Sequence, residues 1–407
     1  MRFPGFNEEW KKRVFNNIYS FKKTNSYSRE NLNYEKGEIK NIHYGDIHTK
    51  FNSLFDIDIE IVPFINKEID TKSIDEDNYL KVGDLVIADA SEDYNDIGKT
   101  IEIKNLNKEK LVAGLHTFLA RKESKEIVNG FASFLMKTYE VRIQIMKIAQ
   151  GTKVLGISKG RLEKIKLTFP EIEEQHKLVD FLTLIDARIQ TSNKIVEDLK
   201  SLSKGLQQKI FSQQLRFKDD NGNDFSEWEF KNGNLLFKNI SDKEHNSDLP
   251  ILAITQDKGA IPRDLIDYNI GVTAKSVSAY KVVQEGDFII SLRSFQGGIE
   301  YSNYKGICSP AYIILRPIKN MNRVFYKYYL KTAAYIIELN RKLEGIRDGK
   351  MISYKYFSEI KLPYPSLEEQ TKIANFLSSL DAKLDKEKQL LEQYQQQKKF
   401  LLQNLFI

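Results

Sequence analysis

The sequence predicts an α+β protein: two globular domains in pseudo-two-fold relation, separated by two long helices that form an antiparallel coiled coil. Three observations carry this expectation. The stretch Phe169-Pro-Glu-Ile-Glu-Glu-Gln175 returns as Tyr364-Pro-Ser-Leu-Glu-Glu-Gln370, so a shift of 195 positions lays Pro170 on Pro365 and Gln175 on Gln370. A fixed internal period decides architecture before any local reading, and two copies are too few for a solenoid. Each copy also opens a long stripe of apolar residues spaced three and four apart, and each follows a region of strand-like runs and turn dipeptides arranged in one order.

The first domain spans residues 1–169. Trp10 opens an apolar pattern through Val14, Phe15 and Ile18. Ile42 to His48 reads as a loop and Phe55 to Phe64 as a β-rich run. Gly83-Asp84 turns the chain into a strand ending at Ala88, and the polar run Asp89 to Lys99 reads as a second loop. Glu102-Ile103-Lys104 fits an alternating strand better than the tail of a nuclease motif. Leu115 to Arg121 reads as a further strand and Gly130 to Lys147 as a helix.

Residues 170–215 form the first long helix, with a seam of Leu182, Ile185, Ile189, Val196, Leu199 and Leu206 interrupted by Ser192 and Ser203. Gly205 inside it costs about 1 kcal/mol against alanine, and Asp219 to Gly222 fits a turn beyond its end. The second domain, 216–364, replays the first: Trp228, a loop at Ile254 to Gly259, a Gly286-Asp287 turn into a strand ending at Ile290, a strand from Ser309 to Arg316, and a helix from Val324 to Lys342. Residues 365–407 form the second long helix, seamed by Leu377, Leu380, Leu384, Leu391, Leu401 and Leu405 and interrupted at the matching places by Glu387 and Lys398. Heptad stripes of this length specify a coiled-coil seam. Ser366 to Glu369 fits a capping box.

The composition narrows the function. No run approaches eighteen uninterrupted apolar residues, the N-terminal residues lack the apolar core of a secretion signal, and Cys308 is the single cysteine, so a cytoplasmic location is expected. The long helices carry almost no net charge, and the chain's excess of +6 therefore sits in the domains before them, a distribution that suits a polyanionic partner. Phosphate-binding and dinucleotide-binding glycine loops are missing, as is the Asn/Asp-Pro-Pro-aromatic motif of amino-methyltransferases. Neither catalysis nor a bound cofactor is expected of this chain. His43 and His48 beside Asp46 lack a third spaced ligand and read as a recognition loop, not a metal site.

Two domains held apart suit a ligand with two sites along one axis, which is the geometry of double-stranded DNA. The first domain offers Tyr44, Asp46, His48, Ser91, Asp93 and Tyr94, with Lys99 and His116 nearby; the second offers Thr255, Gln256, Lys258, Arg293, Ser294 and Gln296, with Lys305. Arg293 can fork onto a guanine, Gln296 can take an adenine, and Asp46 or Asp93 can accept from cytosine N4.

With these residues in view, the chain resembles the specificity subunits of type I restriction–modification systems. The resemblance rests on the twice-present Phe/Tyr-Pro-x-x-Glu-Glu-Gln motif, followed each time by Phe-Leu (Phe181-Leu182, Phe376-Leu377) and Asp-Ala (Asp186-Ala187, Asp381-Ala382), on the two Gly-Asp turns, and on the Ile-Ser leads Ile157-Ser158 and Ile352-Ser353. It implies two target recognition domains, each reading half of a bipartite asymmetric DNA site, with the helices acting as a ruler between the halves. It further implies two modification (methyltransferase) subunits that bring S-adenosylmethionine for adenine methylation, and restriction (motor–nuclease) subunits that use ATP and magnesium. Arg2 to Trp10 resembles Arg216 to Trp228, as a circular repeat would require. A stand-alone bipartite DNA-binding regulator and a coiled-coil scaffold without a DNA role remain open on the residues alone.

Overall fold

The computed structural model describes residues 2–246, 248–266, 277–341 and 352–406. It divides into two compact units: residues 1–193 with 389–407, and residues 194–388. The long helices, Ile172–Phe211 and Leu367–Asn404, therefore give one part to each unit.

In unit 1 a five-stranded sheet runs in the order Tyr19–Lys22, Thr117–Lys122, Leu85–Ala88, Thr100–Asn105, Leu54–Asp56. A four-stranded sheet (Lys110–Ala113, Ile39–Ile42, Phe64–Ile65, Leu32–Asn33) stands beside it, and Lys11–Val14 pairs with Lys166–Phe169. The core packs Phe15, Phe131, Phe134 and Phe169 against Leu178, Leu182 and Ile185 of the first long helix and Leu401 and Leu405 of the second. In unit 2 the order Phe237–Ile240, Ile313–Pro317, Phe288–Ile290, Glu300–Tyr301 repeats the first four positions of the large sheet, and Glu229–Asn232 pairs with Lys361–Tyr364. Its core packs Trp228, Phe237, Phe325 and Phe357 against Ile210 of the first long helix and Ile373 and Leu377 of the second.

The start of the first long helix thus meets the end of the second within unit 1, and the end of the first meets the start of the second within unit 2. The pair runs antiparallel, in an α+β chain with a duplicated domain, as expected. The seam leucines and isoleucines are buried or half-buried, while Leu184, Ile195 and Leu202 face outward. In unit 1 the polar break at Lys398 has a use: its ammonium pairs with Asp186 and lies over the Phe134 ring.

The repeated Glu-Glu-Gln has a physical explanation. Gln175 accepts from the Val128 amide (2.9 Å) and donates to the carbonyls of Glu126 and Pro170 (both 2.8 Å). Gln370 accepts from the Asn322 amide (2.9 Å) and donates to the Pro365 carbonyl (2.8 Å). Each glutamine satisfies buried backbone groups that have no strand or helix to pair with. The glutamate before it is a clamp: Arg2 forks onto Glu174 (2.7 and 2.9 Å), and Arg216 reaches Glu369 (3.2 Å). Glu369 is therefore only half of the expected capping box. Its amide does donate to Ser366 Oγ (3.2 Å), but its carboxylate is turned to Arg216.

The Gly-Asp turns are likewise built alike. Gly83 and Gly286 hold φ of +90° and +87°, where a side chain is strained. Asp84 accepts from the Lys81 amide and Asp287 from the Gln284 amide (both 2.8 Å), while Arg121 and Arg316 hold the same carboxylates from the neighbouring strand.

Several local expectations are corrected. Tyr44–Thr49 is a short helix instead of a loop, because His43 caps it by accepting from the Gly45 amide (3.1 Å). The run Phe55 to Phe64 is turns between two short strands. The Gly130 to Lys147 helix is two, Phe131–Leu135 and Tyr139–Ile148, and the Val324 helix is also two, Arg323–Tyr329 and Ala333–Asn340; its expected end, Lys342, lies outside the described residues. Thr138 and Thr332 make the breaks. Both take extended backbone angles and turn their hydroxyls back to a carbonyl three residues earlier (2.8 Å).

The strand Thr100–Asn105 is buried along its first four residues instead of alternating. Its Glu102 sits wholly buried, accepting from the amides of Gly130 (2.5 Å) and Ser133 (2.8 Å). Burial lifts this carboxyl from 4.5 to about 7. The folded state then keeps a proton that the unfolded chain releases, so stability is expected to fall between about pH 4.5 and 7, by ~3 kcal/mol. Glu102→Gln cannot titrate, and its thermal midpoint should lack this component. Parallel midpoint curves for the two proteins would discard the assignment. Among the described residues, no helix is long and apolar enough to cross a membrane.

Candidate nucleic-acid interface

In unit 1 the helix Tyr44–Thr49 presents a ring cluster. The Tyr44 ring lies 4.7 Å from His43 and meets His116 (5.3 Å) and His48 (6.1 Å) edge-on. His116 holds φ +54° at an exposed turn, its Nδ1 3.2 Å from Asp89. His48 Nε2 lies 2.9 Å from the Ala90 carbonyl, which can only accept, so this nitrogen carries the proton; Nδ1 stands 3.7 Å from Asp96. Lys99 donates to the His48 carbonyl (2.7 Å). The structure thereby brings Tyr44, His48, Lys99 and His116 to the loop that carries Ser91, Asp93 and Tyr94.

That loop is self-organised. Ser91 Oγ accepts from the Asp93 amide (3.0 Å), and Asp93 accepts from the Asn95 amide (2.8 Å). Ser91 is buried, while Asp93 and Tyr94 face solvent. Burial and the Arg29 guanidinium bring His43 down to about 4, so it is neutral at physiological pH and serves as a cap.

Asp46 corrects the sequence reading. Its carboxylate is fully buried, forked by Arg29 (2.7 Å to each oxygen) and paired with Lys50 (3.0 Å). It braces the helix from beneath and offers no free oxygen to a base. Sequence reasoning missed Arg29 because it lies seventeen positions upstream, in a stretch with no periodic signal.

Unit 2 builds its platform from a hairpin and a glycine loop. Leu252–Thr255 pairs with Gly259–Pro262, and Thr255 closes the tip, donating to the Gly259 carbonyl (3.0 Å) and accepting from the Lys258 amide (3.1 Å). Arg293 stands at the start of the helical turn Ser294–Gly297, and the Gln256 amide group reaches its carbonyl (3.4 Å). A Cβ at Gly297 would come 2.9 Å from Gln256 Cδ, and one at Gly298 would strike the Leu330 carbonyl at 2.2 Å. Glycine is what lets the hairpin tip and the loop close on each other. Gln256, Lys258, Arg293 and Gln296 are exposed there.

Ser294 is a second correction. It is buried, and its Oγ accepts from the Ser291 amide (2.8 Å), so it shapes the turn from inside. Lys305 is exposed beyond Glu300–Tyr301, and among the described residues no hydrogen bond or ion pair ties it to the platform. Among the described residues no group of His, Cys, Asp or Glu could hold a metal ion. What remains is two sets of exposed guanidinium, ammonium, amide, imidazole and phenol groups on rigid frames, the groups that contact phosphates and base edges.

Comparison with known proteins bears on the family and the fold. The sequence model of the type I restriction modification DNA specificity domain matches twice, at residues 7–201 and 223–396. The MjaX type I restriction enzyme specificity subunit of Methanocaldococcus jannaschii is 25% identical over 374 residues, covering 87% of this chain and 84% of the relative. The crystal structure of a type I system S subunit from M. genitalium superposes with a TM-score of 0.58 at 18% identity, over 100% of this chain and 99% of the other. A chain from a structure on complex assembly and conformational transition of the type I system gives 0.58 at 15% identity, over 97% of each. At these identities the two solved structures speak for the fold alone.

Proposed function

The chain belongs to the type I restriction–modification DNA specificity family, and from that premise we propose that its two domains each read one half of a bipartite, asymmetric DNA target. The long helices set the spacing between the halves and dock two methyltransferase subunits. Those partners bring S-adenosylmethionine to adenines in each half-site, and motor–nuclease subunits add ATP- and magnesium-dependent cleavage. This chain supplies address and not chemistry, in the cytoplasm.

One observation supports the reading above the rest. The same strand order, Gly-Asp turn, arginine–aspartate fork and glutamine staple recur in both units, while the exposed recognition-type side chains differ, Asp93, Tyr94 and His116 in one against Gln256, Arg293 and Gln296 in the other. A frame held constant under variable loops is what two half-site readers of unlike sequence need. A coiled-coil scaffold without a DNA role has no use for it, and the family match weighs against a stand-alone bipartite DNA-binding regulator.

A genome-wide map of N6-methyladenine, with and without the gene, tests this. Loss of one bipartite motif is expected. Arg293→Ala is then expected to relax one base position in one half-site, with a discrimination loss of about 1–3 kcal/mol if the fork is bidentate. A methylation map unchanged by deletion would overturn the proposal, and equal weakening at all sequences would reassign Arg293 to a phosphate.

A further inference from the structure

Unit 1 holds a cleft of about 850 Å³ between the helix Tyr139–Ile148, the polar loop ending at Lys99 and the long-helix segments of the same unit. Five cations line it (Lys99, Lys137, Arg142, Lys398 and Lys399) against one carboxylate, Asp186. That carboxylate is already paired with Lys398. Lys99 lies 3.8 Å from Asp96, and Arg142 donates to the Asn95 carbonyl (3.0 Å). Among the described residues, Lys137 and Lys399 meet no carboxylate at ion-pair distance.

The second copy of the frame shows what unit 1 has given up. Lys331 holds the place of Lys137, each followed by the threonine that starts the next helix. Lys331 is neutralised by the buried Glu300. Aligning the Gly-Asp strands places Ile101, opposite Val86, where unit 2 has Glu300, opposite Ile289. Unit 1 thus keeps the ammonium and replaces its counterion by a buried isoleucine. Burial, with Lys398 beside it, draws Lys137 down to about 8. Asp186 pulls the other way but is already paired with Lys398, so the desolvated Lys137 has no carboxylate of its own and favours an anion.

We propose that this cleft grips the sugar–phosphate backbone of the duplex whose bases the unit 1 loops read, with Lys137 and Lys399 as phosphate contacts; this rests on the function proposed above. Two features select a polymer over a small anion. The cations are spread over a loop, a helix and a long-helix end instead of converging on one point. The cleft wall is also continuous with the recognition loop, since Asn95 and Lys99 line it and Ser91, Asp93 and Tyr94 share that loop.

The test is the binding of the full chain, purified with the subunits that accompany it, to a duplex carrying its mapped motif and to a scrambled duplex, across salt concentrations. Lys137→Gln and Lys399→Gln are each expected to weaken both duplexes alike. Each should lower the slope of log affinity against log salt by about 0.9, and base discrimination should stay unchanged. Lys137→Arg, which keeps the charge, should bind as the unaltered chain does, and the exposed Lys399 can be changed without disturbing the core. An unchanged slope in the double variant, with the unaltered chain still discriminating, overturns the cleft proposal and leaves the function standing. Displacement of DNA by inorganic phosphate beyond the effect of matched chloride overturns it in favour of a small-anion site. Failure of the unaltered chain to prefer its motif overturns the specificity reading itself.

Discussion

Ending the chain after Lys399 is expected to unfold the core of unit 1 and leave unit 2 standing. Leu401 and Leu405 are 7% and 4% exposed, buried in the unit 1 core, and the Phe406 ring meets Trp10 at 6.1 Å and Phe131 at 5.7 Å. Losing a buried leucine costs roughly 2–5 kcal/mol. Two leucines and a phenylalanine together approach the 5–15 kcal/mol that holds a whole domain, as an order of magnitude. Unit 2 is made of residues 194–388. Hydrogen exchange should therefore show the amides of Thr117–Lys122 losing protection while those of Ile313–Pro317 keep theirs. Protection retained in both strands would mean that the last helix turns are dispensable, and the unit assignment would fall.

Arg121→Met should be the most damaging single exchange in the sheet of unit 1. The guanidinium, 8% exposed, donates to both oxygens of Asp84 (2.8 and 3.0 Å), to Asp77 (3.0 Å) and to the Tyr79 carbonyl (2.7 Å). Without it the Asp84 carboxylate stays buried with only backbone amides, those of Lys81 and Lys122, as donors, a loss of about 3–5 kcal/mol. Burial already raises the Asp84 carboxyl above its ordinary value, against the opposing pull of Arg121; removing the arginine raises it further. The folded variant then takes up a proton that the unfolded chain does not, so its deficit should shrink as pH falls through that raised value. Asp84→Asn added to Arg121→Met should recover part of the loss at neutral pH. Arg316→Met in unit 2 should cost less, because Arg316 is 28% exposed and water can reach Asp287 once it is gone. A loss in Arg121→Met that ignores pH would show that packing, not the stranded charge, is responsible.

The parts of this fold that were legible in the sequence are those where one local motif answers one local demand. Gln175 and Gln370 each donate to the carbonyl of the proline five positions before them, and the heptad seams bury one face, so both leave marks at fixed spacing. The Arg121–Asp84 fork joins residues 37 positions apart and leaves no such mark. The six-residue helix at Tyr44 is too short for periodicity and is capped by a histidine, outside the usual set. The loop from Asp89 to Lys99 and the turn after Thr255 lie where the sequence places them, but a polar loop residue serves a ligand or its own fold with the same atoms. Asp46 and Ser294 turned out to do the latter, and only burial separates the two cases. Lys137 failed in the opposite direction: within a helical pattern it reads as a solvated lysine, and its missing counterion becomes visible only against Glu300 in the other copy.

The interleaving of the chain through its units has a consequence for synthesis. Unit 2 is continuous, residues 194–388, whereas unit 1 needs residues 389–407 to close its core. A nascent chain emerges from its N-terminus, so the domain made first is finished last. At typical translation rates the intervening stretch takes about 10–40 s, during which Phe131, Leu182 and their neighbours lack the side chains that cover them. That interval is when the newborn protein is most exposed to aggregation and most open to a chaperone or an early-binding subunit. Rejoining the ends and opening the chain near residue 193 would reverse the order and remove the wait.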